Sequence, residues 1–227
     1  MRGSRSSAAC HRWDGLSPPK PQNPNFVLIM LERKNQNIFS AVKLVRNKME
    51  STEKNLDDFV RMPFSWDPNR TCKHLELSEW EKVASSSTSN YSFKTTLGSF
   101  PFTPGFKYYF EVKMLKGNNF KIGVAKEDCD LTIAFSDTPK GWAYYSSGYL
   151  RHNSGGDGPQ YGEAYTANDT VGVYVDLVNG ELFFSKNGKV FGTAYKNEEF
   201  LKNELYPACC CLTKGESFEL LSPMPED

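Results

Sequence analysis

Between Thr170 and Gly192 the chain alternates apolar and polar positions with a period of two. Val171, Val173, Val175 and Leu177 fall on one face of an extended segment. Asn179-Gly180 and Asn187-Gly188 supply the residues tolerant of positive φ that two-residue hairpin turns require. The pattern predicts three antiparallel strands in a meander. Upstream, from Pro63 onward, short runs rich in Val, Ile, Phe and Tyr are punctuated by Gly, Pro, Asn and Ser clusters. That rhythm predicts an all-β chain folded as a two-sheet antiparallel β-sandwich. Lys196–Lys202 predicts a single helical turn serving as a connector. In the run Cys209-Cys210-Cys211, a strand places Cys209 and Cys211 on one face and Cys210 on the other.

The period changes before the sandwich. Ile38, Val42, Val45, Met49, Thr52, Leu56 and Phe59 recur at alternating spacings of four and three, which is the seam of a coiled coil. This predicts an N-terminal helical extension over 26–60 that self-associates weakly through 38–59; packing of that helix on the domain is the rival arrangement. Residues 1–25 mix Pro18, Pro19, Pro21 and Pro24 with Ser, Gly and Arg, a composition that cannot offset its ordering entropy and predicts a disordered basic tail. The remaining residues, 61–227, form the sandwich domain.

Several ordered elements carry a family likeness. They are Tyr108-Tyr-Phe-Glu-Val-Lys113, Phe120-Lys-Ile-Gly-Val-Ala125, Gly141-Trp-Ala-Tyr-Tyr145, Tyr161-Gly162, the meander, and Leu205-Tyr-Pro-Ala208. Together they resemble the SPRY domain. Phe64-Ser-Trp-Asp-Pro-Asn69 and His74-Leu-Glu-Leu-Ser78 are similar to the PRY segment that precedes it in tripartite-motif ubiquitin ligases. The resemblance covers about residues 61 to 222 and implies a concanavalin-like sandwich acting as a non-catalytic protein-interaction module. By the same resemblance, Asp128–Lys140 is a rim loop with Ile133 and Phe135 as apolar contacts, and substrate recognition or scaffolding in a ubiquitin-ligase-type complex is the implied setting.

Charge and chemistry narrow the choice of function. The chain is formally neutral, yet residues 1–49 hold nine Lys/Arg against two Asp/Glu, leaving eighteen against twenty-five in the rest. A mildly acidic domain argues against nucleic-acid binding by the sandwich; RNA contact through the basic tail is kept as an alternative. Six cysteines without a C-x-x-C pair point to a reducing, cytoplasmic setting, with no metal. Phe26-Val-Leu-Ile-Met-Leu31 is too short to span a bilayer, so no membrane association is expected.

Catalytic patterns fail one by one. Cys129 with His152 has no orienting third group, no two carboxylates share a cleft, and Gly155-Gly-Asp-Gly158 lacks a following Lys-Ser/Thr. No enzyme activity and no cofactor are expected. The loop from Trp142 to Tyr165 instead combines aromatics and Arg with adaptable Ser, Gly and Asn, the mixture that anchors protein interfaces. Tyr149, Arg151, His152 and Asn153 are the chosen contacts with a peptide or loop of a partner. Arg151 and His152 are expected at the surface because burial without partners is costly, whereas Trp142, Tyr144 and Tyr161 are expected to turn inward. A lectin-like sugar site, with aromatics stacked on a pyranose and Asn153 and Asp157 holding hydroxyls, is the rival class.

Overall fold

The computed structural model describes residues 55–156 and 158–221. The basic tail of 1–25, most of the helix over 26–60 and Asp157 lie outside them. A compact unit begins at Leu56, ahead of the boundary at 61. Thirteen strands follow: β1 (Trp66–Thr71), β2 (Leu75–Ser78), β3 (Val83–Ser86), β4 (Lys94–Gly98), β5 (Lys107–Lys116), β6 (Phe120–Ala125), β7 (Gly141–Tyr145), β8 (Leu150–Arg151), β9 (Thr170–Asp176), β10 (Glu181–Lys186), β11 (Lys189–Lys196), β12 (Tyr206–Cys211) and β13 (Ser217–Leu220). They make a six-stranded sheet in the order β1-β4-β12-β6-β7-β8 and a seven-stranded sheet in the order β11-β10-β9-β5-β13-β3-β2. Every pairing between these strands is antiparallel.

The two-residue period of β9 delivers Val171, Val173 and Val175, with Leu177 just beyond, into the space between the sheets. There they meet Phe120, Ile122, Val124, Trp142, Tyr144, Cys209 and Cys211. Cys210 turns to the opposite face, as the strand alternation requires. Asn187 and Gly188, at φ 49° and 82°, close β10 onto β11 in a two-residue turn. The other turn differs from the sequence reading. Asp176 pairs with Glu181 across a four-residue loop, in which only Gly180 has positive φ. The Asp176 carboxylate sets this length by accepting the backbone N–H groups of Val178 and Asn179 at 3.0 and 2.8 Å.

Both sheets are also covered on their outer faces. On the six-stranded sheet a group of outward positions is small: Gly123, Ala125, Gly141, Ala143, Ala208 and Cys210. Phe135 and Ala134, from the segment between β6 and β7, fill the hollow they leave. A side chain at Gly141 would strike Phe135, and one at Gly123 would strike the Trp142 carbonyl. On the seven-stranded sheet Tyr109, Tyr174 and Phe183 form an aromatic row, with Tyr174 and Phe183 stacked at 4.7 Å. Phe59 stands edge-on to both, at 5.3 and 5.5 Å.

This corrects the coiled-coil reading at its end. Leu56–Asp58 form a 3-10 turn, and Phe59 packs on the sandwich. The β-bridge between Val60 and Tyr108 draws this stretch onto β5. Glu198–Leu201 supplies the expected single helical turn, capped by Asn197.

Glu216 ties the two sheets together at one end. Its Oε1 accepts N–H groups from Asn118 and Asn119 at 3.1 and 2.9 Å, between β5 and β6. Its Oε2 accepts those of Leu212 and Thr213 at 2.9 and 2.8 Å, after β12. Gly117, at φ 110°, leaves room for the Glu216 stem.

Between β2 and β3, Glu79, Trp80 and Glu81 are consecutive non-glycine residues in the left-handed region, at φ 52°, 59° and 57°. Each costs about 1–2 kcal/mol there because Cβ crowds the following carbonyl. Trp80 is 79% exposed, so its side chain returns almost nothing to the fold. Trp80→Gly is expected to raise unfolding free energy by about 1 kcal/mol. A urea midpoint at or below that of the parent protein would refute this.

Candidate functional site: the β7–β8 edge and its neighbouring turn

Outward side chains cross the far edge of the six-stranded sheet in a row. Cys210 faces Lys121, Lys121 faces Tyr145, and Ala143 faces Arg151. Lys121 is almost wholly buried, and its ammonium meets Asp137 at 2.5 Å. It also lies over the rings of Phe93 and Tyr145, at 4.5 and 5.6 Å. The Arg151 guanidinium lies over Tyr145 at 5.0 Å and Tyr149 at 5.7 Å. The result is an alternating ladder of rings and cations, Phe93–Lys121–Tyr145–Arg151–Tyr149, in which each charge faces a π-surface. Burial pushes the Tyr145 hydroxyl up, and the Arg151 charge pulls it partly back.

Beside the ladder a polar turn is exposed. His152 leaves β8 and stacks on Trp142 with centroids 4.7 Å apart, while its Nδ1 meets the Gly141 carbonyl at 2.8 Å. Asn153, at φ 50°, then swings the chain outward. Its N–H donates to the Thr138 carbonyl at 3.2 Å, and Gly156 N–H donates to Ser154 Oγ at 3.1 Å. Residues 153–156 are all exposed. From beneath, the Tyr195 hydroxyl donates to the Ala143 and Arg151 carbonyls at 2.8 and 2.9 Å, so β8 is fastened by β11 of the other sheet.

The structure brings Tyr149, Arg151, His152 and Asn153 to this one edge, with two changes of role. Arg151, expected at the surface, is 4% exposed; two aromatic rings and the Leu150 carbonyl, 3.0 Å away, offset its desolvation. His152 is half-buried for the same kind of reason. Phe135, expected as a rim contact, is wholly buried because the small residues beneath it leave a hollow only a large apolar ring fills. Ile133 is half-buried, and its carbonyl accepts the Thr95 hydroxyl at 2.7 Å. Trp142 and Tyr144 are inside as expected; Tyr161 is half-buried, its hydroxyl on the Gly192 carbonyl.

Phe93, Lys121 and Tyr145 of the ladder, and Asp137 that pairs with Lys121, were not singled out by the sequence reading. Lys121 carried a usable signal, since a lysine inside the apolar run Phe120–Ala125 needs a carboxylate partner. Burial pushes the Cys129 thiol up to about 12, away from the nucleophilic thiolate. No cluster of metal-binding side chains occurs among the described residues.

Comparison with known proteins agrees with this architecture. A family model described as the SPRY domain matches residues 107–224. The SPRY domain of human HERC1 superimposes with a TM-score of 0.60 at 20% identity, covering 71% of this chain and 100% of that one. The TRIM65 PSpry domain gives 0.58 at 16% identity, over 74% of this chain and 92% of that one. Ran-binding protein 9 of Xenopus tropicalis is 30% identical over 172 residues, which is 68% of this chain and 29% of that protein. The ATP-dependent RNA helicase DDX1 of Xenopus laevis is 30% identical over 146 residues, 64% of this chain and 17% of that protein. The chain thus spans less than a third of the length of these curated relatives. With both sheets in place and the family model covering more than half of its residues, the chain belongs to the SPRY domain family.

Proposed function

We propose that this domain is a non-catalytic protein-interaction module that holds a peptide or loop of a partner on the β7–β8 edge. The observation that carries the reading is the pairing of a fixed base with an adaptable rim. The ring–cation ladder and the Tyr195 hydrogen bonds pin the base, while Tyr149 and residues 153–156 offer ring surface, amide and hydroxyl groups to an incoming chain. Preorganisation of this kind lowers the entropy lost on binding. Tyr149 and Asn153 are the contacting side chains in this proposal. Arg151 and His152 hold the surface in place, and Ile133 contributes at its margin.

The finer setting, substrate recognition or scaffolding in a ubiquitin-ligase-type complex, rests on the likeness to tripartite-motif PRY-SPRY segments. A cytoplasmic location is proposed from the cysteines, since the five within the described residues are free and buried. No helix among the described residues is long and apolar enough to cross a membrane.

The test is affinity capture from lysate with the full chain, compared with Tyr149→Ala and Asn153→Ala, which leave the ladder's cations in place. Specific partners lost from both variants, with the strand signal in circular dichroism retained, are the expected outcome. A partner list indifferent to both would sink the assignment of this edge. Reproducible glycan binding abolished by Tyr149→Ala would replace it with the sugar-binding reading.

A further inference from the structure

Trp80 stands out among the exposed apolar side chains, at 79% exposure. It is also the middle residue of the left-handed turn joining β2 to β3. The turn is fastened on both sides. Lys82 N–H donates to the Glu79 carbonyl at 3.2 Å, and Trp66 N–H donates to the Glu81 carbonyl at 2.9 Å. The Trp66 indole N–H reaches the Lys82 carbonyl at 3.0 Å. The Lys82 ammonium is turned inward onto the Phe64 carbonyl, so its charge does not reach the turn's surface. The indole is therefore presented by a rigid support at a cost in backbone energy, with no packing in return. Backbone strain of this kind is concentrated at binding and switch segments.

The surroundings say what it suits. Glu79 and Glu81 flank Trp80, and Glu76 lies four residues earlier on β2; all three are exposed. No basic side chain among the described residues pairs with them. Acidic groups here repel nucleic acid and anionic lipid. An exposed indole with carboxylates on the residues either side of it instead attracts cations, because a guanidinium or ammonium laid on the ring meets its negative quadrupole while a neighbouring carboxylate can pair its remaining N–H groups. We propose that the Trp80 turn is a second interaction surface that takes an Arg- or Lys-rich extended segment of a partner protein. It is independent of the β7–β8 edge. Strand β2 closes the seven-stranded sheet beside β1, at the end of the six-stranded sheet opposite β8.

The experiment is selection of phage-displayed random dodecapeptides on the full-length protein, followed by affinity measurement of the recovered peptides. Recovered sequences should be enriched in Arg and Lys. Their affinity should fall about ten-fold or more with Trp80→Ala, and again with Glu79→Lys and Glu81→Lys. It should weaken as salt rises and be unchanged by Tyr149→Ala. Trp80→Gly, which relieves the backbone, should lose binding while melting no lower than the parent; this separates recognition from folding. Peptides that are not basic, or whose affinity ignores Trp80→Ala, would overturn the proposal.

Discussion

Glu216→Ala is expected to lower unfolding free energy by about 4 kcal/mol, one of the two largest effects this fold offers. The carboxylate is buried and accepts backbone N–H groups from Asn118, Asn119, Leu212 and Thr213, with the Asn119 side-chain amide as a fifth donor at 3.2 Å. Hydrogen bonds to a charged acceptor are about twice as strong as neutral ones, and each buried donor left without a partner costs about 1–3 kcal/mol. Partial entry of water limits the sum. Glu216→Gln should cost about half as much, because one oxygen still serves Asn118 and Asn119 while the new amide turns N–H groups towards those of Leu212 and Thr213. Urea unfolding of both variants checks this; a loss below about 1 kcal/mol for the alanine form would show that the clip contributes little.

The second large effect is alkaline unfolding. Burial pushes the thiols of Cys129 and Cys210 up to about 12, and those of Cys209 and Cys211 up as well. In the unfolded chain a thiol titrates near about 8.5. Above that pH the unfolded state releases protons that the folded state retains, so the contribution is fully present below about pH 8.5 and is lost as pH rises towards the folded values. Each thiol then removes about 1.4 kcal/mol per pH unit, or about 2 kcal/mol by pH 10. Four such groups approach the whole stability of an ordinary domain, about 5–15 kcal/mol. Circular dichroism against pH should show cooperative loss of strand signal near pH 10. Cys129→Ala combined with Cys210→Ala should flatten the slope by about half. A parent protein still folded at about pH 11 would contradict the argument.

Periodicity made the sandwich legible in the sequence. Val171, Val173 and Val175 alternate, Cys209 and Cys211 separate from Cys210, and Asn187-Gly188 can close a hairpin, all for local reasons. What escaped depended on the third dimension. Phe135 looked like a surface residue because the hollow that receives it is assembled from Gly123, Gly141, Ala143 and Ala208 on three other strands. Arg151 looked exposed because the rings that shelter it come from Tyr145 and Tyr149, side by side only once β7 and β8 pair. Phe59 matched a heptad position, yet its partners Tyr174 and Phe183 lie more than a hundred residues away. Glu216 gave no periodic signal, since half of its backbone donors belong to the turn at Asn118 and Asn119, nearly a hundred residues away in the chain.

The seating of Phe135 on glycines and alanines bears on how the domain could be re-engineered. Residues 126–140 are keyed to the sheet below them, so lengthening or randomising that stretch would unseat the ring and open a cavity before it altered recognition. Residues 153–156 carry no such key. A variant library confined to those four positions should retain folded members at high frequency, whereas one spread over 133–136 should be dominated by insoluble clones.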